Sequence, residues 1–370
     1  MFGMSDADAP AAAAGGRRAV IATWLLLLSA MVFAMVVIGG LTRLTHSGLS
    51  IVEWKPLTGW LPPLGEEAWQ EEFRKYRQFP EYRARNLGMT VAEFKGIYWL
   101  EYVHRLWGRI IALAFLLPFA FFVWRGWAAG GLAAKLALIF LLGAGQGAFG
   151  WFMVTSGLVD EPDVSHYRLT AHLALALAVY AAMLWLALDL LPPGPASPPQ
   201  APPPRLVPLA GLLAFSVFLT ALSGGLVAGL DAGFVYNTFP LMDGALLPAG
   251  LYDMDPPLMS AFEDVGTVQF NHRWLAFATL ALAWLLWRRA RKAPLARFPR
   301  LCVEAAAALT ALQVALGVLT LLLAVPLALA AAHQANAMLA LAAALAAAHR
   351  LRRGRPDPSP AVAAPAENPG

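Results

Sequence analysis

A single cysteine, Cys302, stands in this chain of 370 residues, so no internal disulfide can form and cysteine usage gives no redox compartment. Charge is scarce as well. Asp, Glu, Lys and Arg make up 14% of the chain against 59% hydrophobic residues, which excludes an ordinary soluble domain. The net charge is only +4 and no basic stripe is present, so nucleic acid is not a partner. No cysteine or carboxylate cluster accompanies the seven histidines to complete a zinc or copper site. The first eighteen residues carry Asp6 and Asp8, with basic residues only at Arg17 and Arg18, which is a poor mitochondrial presequence. The apolar run that follows is too long for a typical signal peptide and reads as a retained span.

What is present is a series of long apolar runs. Eight candidate spans lie at roughly 20–41, 98–124, 132–154, 167–190, 207–229, 267–288, 301–324 and 327–349, each near the length a bilayer requires. Val325 and Pro326 split the last apolar block in two, since proline breaks a helix. With eight spans, one side collects Arg17, Arg18, Arg125, Lys135, Arg205, the basic run from Arg288 to Arg300, and Arg350 to Arg355. The other side carries Asp160, Glu161, Asp163, Asp231, Asp243, Asp253, Asp255, Glu263 and Asp264, almost without Lys or Arg. The positive-inside rule then puts both termini in the cytoplasm of a bacterial cell, in the inner membrane.

The expected fold is an all-α integral membrane protein of eight transmembrane helices, arranged as two repeat-related four-helix bundles. Its parts are a cytoplasmic N-terminal tail at 1–19, a first bundle at 20–190 with an outer loop at about 42–97, a Pro-rich linker at 191–208, a second bundle at 209–350 and a disordered tail at 351–370. The repeat rests on several matches in the same order. Gly39-Gly40-Leu41 matches Gly224-Gly225-Leu226, and Gly48 matches Gly233. Glu101-Tyr102-Val103-His104-Arg105 matches Gln269-Phe270-Asn271-His272-Arg273. Gln146 with Gly150 matches Gln313 with Gly317, and His172 matches His333.

His104, His172, His272 and His333 all lie near the outer end of an even-numbered span, two per half. Opposed imidazoles in a helical bundle are what a bis-histidine haem iron needs. Trp, Phe and Leu in the spans suit a macrocycle. The competing reading is that interfacial histidines only bond to a nearby carbonyl, but four in equivalent positions on one side weigh against it. His46, His166 and His349 fall outside the pattern and read as ordinary. Arg105 and Arg273 directly follow their histidines, and Arg168 lies one turn before His172; each can pair with a haem propionate or simply anchor a helix end.

The halves differ at one position. Glu101 lies three residues before His104, on the same helix face, where the second half has Gln269. A carboxylate beside a haem face can act as a base, place water or stabilise positive charge. In the first turn of a helix it can also simply favour the macrodipole. The first reading places chemistry in the first half and a fixed haem in the second.

The stretches GGLTRLTHSGLSIVEWKPLTGWLPPL, EYVHRLWGR, VSHYRLTAHLALA, QFNHRWLA and AAHQANAMLAL together resemble haem A synthase of the proteobacterial and mitochondrial type. The resemblance runs from about residue 30 to residue 345. It implies an eight-span oxidoreductase that turns the C8 methyl of haem O into the formyl of haem A by successive hydroxylation, for cytochrome c oxidase. By motif, His104 and His172 would flank the substrate haem O with Glu101 beside it, and His272 and His333 would ligate haem b. Haem O synthase and cytochrome c oxidase assembly factors are the implied partners, beside the lipid bilayer, and a homo-oligomer is compatible. Part of the family carries a cysteine pair in an outer loop. This chain has none, which excludes a cysteine-dependent mechanism. The alternative is a non-catalytic di-haem membrane electron carrier of cytochrome b type. It would use the same four histidines but leave the exchange of Glu101 for Gln269 unexplained.

Overall fold

The structure, a computed structural model, describes residues 8–55, 58–157, 164–191 and 205–353. Most of the expected linker at 191–208 and nearly all of the expected tail at 351–370 lie outside them. Among the described residues the regular structure is helical, without a strand. The helices are α1 (Asp8–Leu44), α2 (Glu66–Tyr76), α3 (Pro80–Arg85), α4 (Val91–Trp124), α5 (Gly130–Gly157), α6 (His166–Leu190), α7 (Leu206–Gly229), α8 (Pro257–Glu263), α9 (Val265–Arg291), α10 (Arg297–Leu322) and α11 (Leu327–Arg353).

Seven of these, α1, α4, α5, α6, α7, α10 and α11, are long and apolar enough to cross a membrane, which makes this a multi-pass membrane protein. The eighth expected span, 267–288, coincides with α9. That helix has the length, but Gln269, Asn271, His272 and Arg273 at one end and Arg288, Arg289 and Arg291 at the other shorten its apolar stretch.

Local chemistry sets the helix ends. α4 begins seven residues before the expected start because Thr90 and Glu93 form a reciprocal cap. The Thr90 hydroxyl accepts from the Glu93 N–H at 3.3 Å, and the Glu93 carboxylate accepts from the Thr90 N–H at 2.8 Å. α9 starts where the Asp264 carboxylate accepts from the Thr267 N–H at 2.7 Å. Between α10 and α11, Ala324 and Val325 both take positive φ, and their N–H groups bond back to the carbonyls of Leu321 and Thr320 before Pro326 ends the turn.

α1 packs on α4 and α6, and α5 packs on the same two helices. α7 packs on α9 and α11, and α10 does likewise. The two sets meet through α6 with α7, α1 with α11, and α6 with α11. The shared apolar core lies in the helix halves remote from the four candidate histidines. It includes Leu25, Leu28, Leu136, Met183, Leu213, Leu286 and Leu341, all at most 2% exposed. Dense packing is thus concentrated at one end of the bundle.

The first outer loop has a structure of its own. α2 and α3 supply Trp69, Phe73, Tyr76 and Tyr82, which pack on Phe94, Tyr98 and Tyr102 of the outward extension of α4. Ring centroids of Tyr76 and Phe94 are 5.2 Å apart, those of Phe73 and Phe94 5.1 Å, and those of Trp69 and Tyr98 5.0 Å. The Tyr102 hydroxyl donates to the Trp60 carbonyl at 2.5 Å. The loop therefore stands on α4 beside Glu101 and His104. Phe94 is fully buried in this cluster, and truncating a buried Phe to Ala typically costs about 3–5 kcal/mol. Phe94→Ala should speed tryptic cleavage at Arg74, Arg77, Arg83 or Arg85 in the purified protein; an unchanged rate would show that the cluster does not hold the loop.

Candidate functional site

Each of the four candidate histidines rests against a glycine of the neighbouring helix. A Cβ added to Gly39 of α1 would stand 2.9 Å from Cε1 of His104, and one on Gly224 of α7 would stand 3.2 Å from Cε1 of His272. On the other side of each set, Gly150 of α5 meets His172 at 3.1 Å and Gly317 of α10 meets His333 at 2.9 Å. Even the smallest side chain would displace the ring. The structure thus places His104 and His172 in one helix set and His272 and His333 in the other, each against a glycine.

The second glycine of each Gly-Gly pair faces the other set of helices. A Cβ on Gly40 would overlap the side chain of Gln334, the residue after His333, and the Gln334 amide donates to the Val36 carbonyl at 3.0 Å. A Cβ on Gly225 would press on Thr170 at 3.1 Å and on Leu173, the residue after His172, at 3.3 Å. The Gly-Gly motif is therefore a two-sided close approach. One glycine receives the histidine of its own set and the next receives the partner set.

The residues flanking His104 and His272 grip the loops that follow α1 and α7. Arg105 donates to the carbonyls of Ile51 at 2.7 Å and Glu53 at 3.0 Å. Arg273 donates to those of Tyr236 at 2.5 Å and Thr238 at 3.0 Å. These acceptors stand twelve and fourteen residues after Gly39 in the first case and after Gly224 in the second. Each arginine also bonds back one turn, Arg105 to Glu101 at 2.9 Å and Arg273 to Gln269 at 3.0 Å.

Glu101, 2% exposed, completes its grip with its other oxygen, which accepts from the Ser50 hydroxyl and the Ile51 N–H, both at 2.7 Å. Gln269, also 2% exposed, does the reverse. Its amide donates to the carbonyls of Ala232, at 2.7 Å, and Val235. The first loop offers donors and meets an acceptor-only carboxylate; the second offers carbonyls and meets an amide donor. This polarity match accounts for the Glu101/Gln269 difference, which the sequence had connected only with chemistry or the helix dipole. The sequence carries no signal for which loop groups point inward.

The remaining candidates divide clearly. The Arg168 guanidinium lies 4.8 Å from the Phe152 ring centroid. His166 sits 3.5 Å from the Glu263 carboxylate and His349 2.9 Å from that of Asp189, so both have carboxylate partners away from the four-histidine pattern. Polar groups around the second pair went unnoticed in the sequence: Ser223, 2.7 Å from Nδ1 of His272, and Asn336, whose amide donates to Gln313 beside His333.

Among the described residues no group of three or more His, Cys, Asp and Glu side chains converges to hold a bare metal ion. Two imidazoles in each helix set, each seated against a glycine, suit an iron whose other ligands come from a porphyrin. Residues 22–345 match the family model described as cytochrome oxidase assembly protein. The chain is 52% identical over 315 residues to the haem A synthase of Nitrosospira multiformis, covering 85% of this chain and 88% of that protein. It belongs to the haem A synthase family. Other family members extend the similarity widely. The haem A synthase of Paramagnetospirillum magneticum is 50% identical over 90% of this chain and 92% of its own length. The haem A synthase COX15 of Bos taurus is 44% identical over 90% of this chain and 81% of its own.

Reversing the polarity match should be costly on either side. Gln269→Glu would set a carboxylate against two carbonyls, and Glu101→Gln would set an amide donor against either the Ile51 N–H or the Arg105 guanidinium. Each should lower stability by about 1–3 kcal/mol, the typical cost of an unsatisfied buried polar group. Thermal unfolding of the detergent-solubilised protein measures this; unchanged midpoints would show that the loops adapt freely.

Proposed function

We propose that this chain is the oxidoreductase that converts haem O to haem A by successive hydroxylation of the C8 methyl group, serving cytochrome c oxidase assembly. The observation that carries the reading is the set of four histidines, paired within each helix set and each seated on a glycine. Family membership and the names of the relatives favour a synthase over the non-catalytic electron carrier.

In this reading α9 is the eighth transmembrane helix, and α1, α4, α5 and α6 form a first bundle repeated by α7, α9, α10 and α11. The equivalent packing partners and the equivalent loop grips of Arg105 and Arg273 support it. The domain limits are those read from the sequence, 20–190 and 209–350. The membrane is the bacterial inner membrane, with both termini cytoplasmic and the histidines toward the periplasm. Haem O synthase and oxidase assembly factors are the proposed partners.

His104 and His172 hold the iron of the substrate haem O and so fix the orientation of its ring. Glu101, locked by Ser50, Ile51 and Arg105, brings a fixed carboxylate to the outer side of that site, where it can stabilise developing positive charge or guide water. Arg168, Arg105 and Arg273 present guanidinium groups for porphyrin carboxylates, Arg105 and Arg273 from positions already tied to the loops. His272 and His333 hold haem b, which supplies one-electron redox chemistry when bound.

Chromatography of haems extracted from protein expressed with a source of haem O tests this. Haem b together with haem A or a hydroxylated haem O is expected. Haem b alone would favour the carrier, and no haem would sink both. Glu101→Gln should leave haem b in place while haem O accumulates. Gly317→Ala should remove haem b by displacing His333; full retention would show that the close approach is not needed for ligation.

A further inference from the structure

The two pairs of histidines differ in what their second ring nitrogen touches. In the first set, Nδ1 of His104 and of His172 is buried without a hydrogen-bond partner. In the second set Nδ1 of His272 has one, while His333 meets an amide nitrogen at similar distances from both ring nitrogens. Ser223 Oγ lies 2.7 Å from Nδ1 of His272, and the Gln313 amide nitrogen lies 3.1 Å from Nδ1 of His333 and 3.3 Å from its Nε2. Ser223 immediately precedes Gly224, and the residue that precedes Gly39 is Ile38. At the matching position the first set therefore has a side chain that cannot bond an imidazole.

Ser223 suits a His272 that carries its proton on Nδ1. Its hydroxyl has one hydrogen and lies 2.8 Å from the Thr220 carbonyl, which can only accept. With that hydrogen given to Thr220, Nδ1–H of His272 donates to Ser223, and both contacts are satisfied. The Nε2 lone pair is then free, as an iron ligand requires. A hydrogen bond at the remote nitrogen fixes the tautomer and ring orientation and raises the basicity of the ligand.

We propose that Ser223 is a positioning residue that makes the second site a resident haem site, and that Ile38 leaves the first site exchangeable. The inference rests on the ligand assignment given under Proposed function. A substrate must arrive and its product must leave, so a ligand held only by packing suits the first site. A cofactor that stays suits a ligand held by a relayed hydrogen bond through Ser223 to Thr220.

The test compares wild type, Ser223→Ala, Ser223→Thr and Ile38→Ser, purified in detergent with haem loaded during expression. Transfer of haem b to excess apomyoglobin gives its dissociation rate, and potentiometric titration gives its midpoint. Ser223→Ala should release haem b about 10–100-fold faster, the usual cost of losing such a partner, with a higher midpoint because the ligand is less basic. Ser223→Thr, which keeps the hydroxyl, should stay near wild type in both. Ile38→Ser should increase the haem O or haem A retained on the purified protein. Wild-type release rate and midpoint in Ser223→Ala would overturn the role of Ser223, and so would equal losses in the Ala and Thr variants. Unchanged retention in Ile38→Ser would overturn the exchange half. Absence of haem b from wild type would instead overturn the ligand assignment, a result distinct from all of these.

Discussion

An imidazole can press closely on a neighbouring helix backbone where that helix carries a glycine. That constraint recurs four times here, at Gly39, Gly150, Gly224 and Gly317, with separations to an added Cβ of 2.9 to 3.2 Å. It ties helix spacing to the histidines: the backbones of α1, α5, α7 and α10 approach their neighbours closely where the rings sit. Gly40 and Gly225 extend the constraint to the contact between the two sets, against Gln334 and Leu173. One pair of adjacent glycines thus positions a histidine and joins the halves.

The dense apolar core occupies the opposite end of the helices. The histidine end is held instead by polar grips, in which Arg105 and Arg273 bind loop carbonyls and Glu101 and Gln269 take the polarity their loops demand. Polar groups this deep in an apolar protein are costly unless paired. The pairing is complete for both Glu101 oxygens, and it makes the outer loops part of the wall around the histidines. The aromatic cluster of α2 and α3 on α4 serves the same end.

The two sets share a plan but differ in how their histidines are supported. A partnered Nδ1 on His272 in the second set and unpartnered Nδ1 atoms in the first fit the proposed division between a retained and an exchanged haem. The enzyme reading therefore rests on the four histidines and family membership rather than on Glu101 as an isolated acid. Glu101 has a structural duty that any chemical duty must share.

Much was legible from the chain alone, because burial in a bilayer imposes long apolar runs and repeats leave matching motifs. The eight long helices, the break at Val325 and Pro326, the four histidines and the glycine matches all come from such one-dimensional signals. α2 and α3 escaped because their aromatic spacing has meaning only against Phe94 and Tyr98, which lie beyond them in the chain. Ser223 carries no signal of its own in an apolar helix, and only the fold places His272 beside it. The sequence by itself determined the membrane class and the family, and it proposed which side chains would ligate. Only the tertiary structure decided what each glycine faces, why Glu101 and Gln269 differ, and which imidazoles have partners, since hydrogen bonds and close approaches depend on residues far apart in the chain.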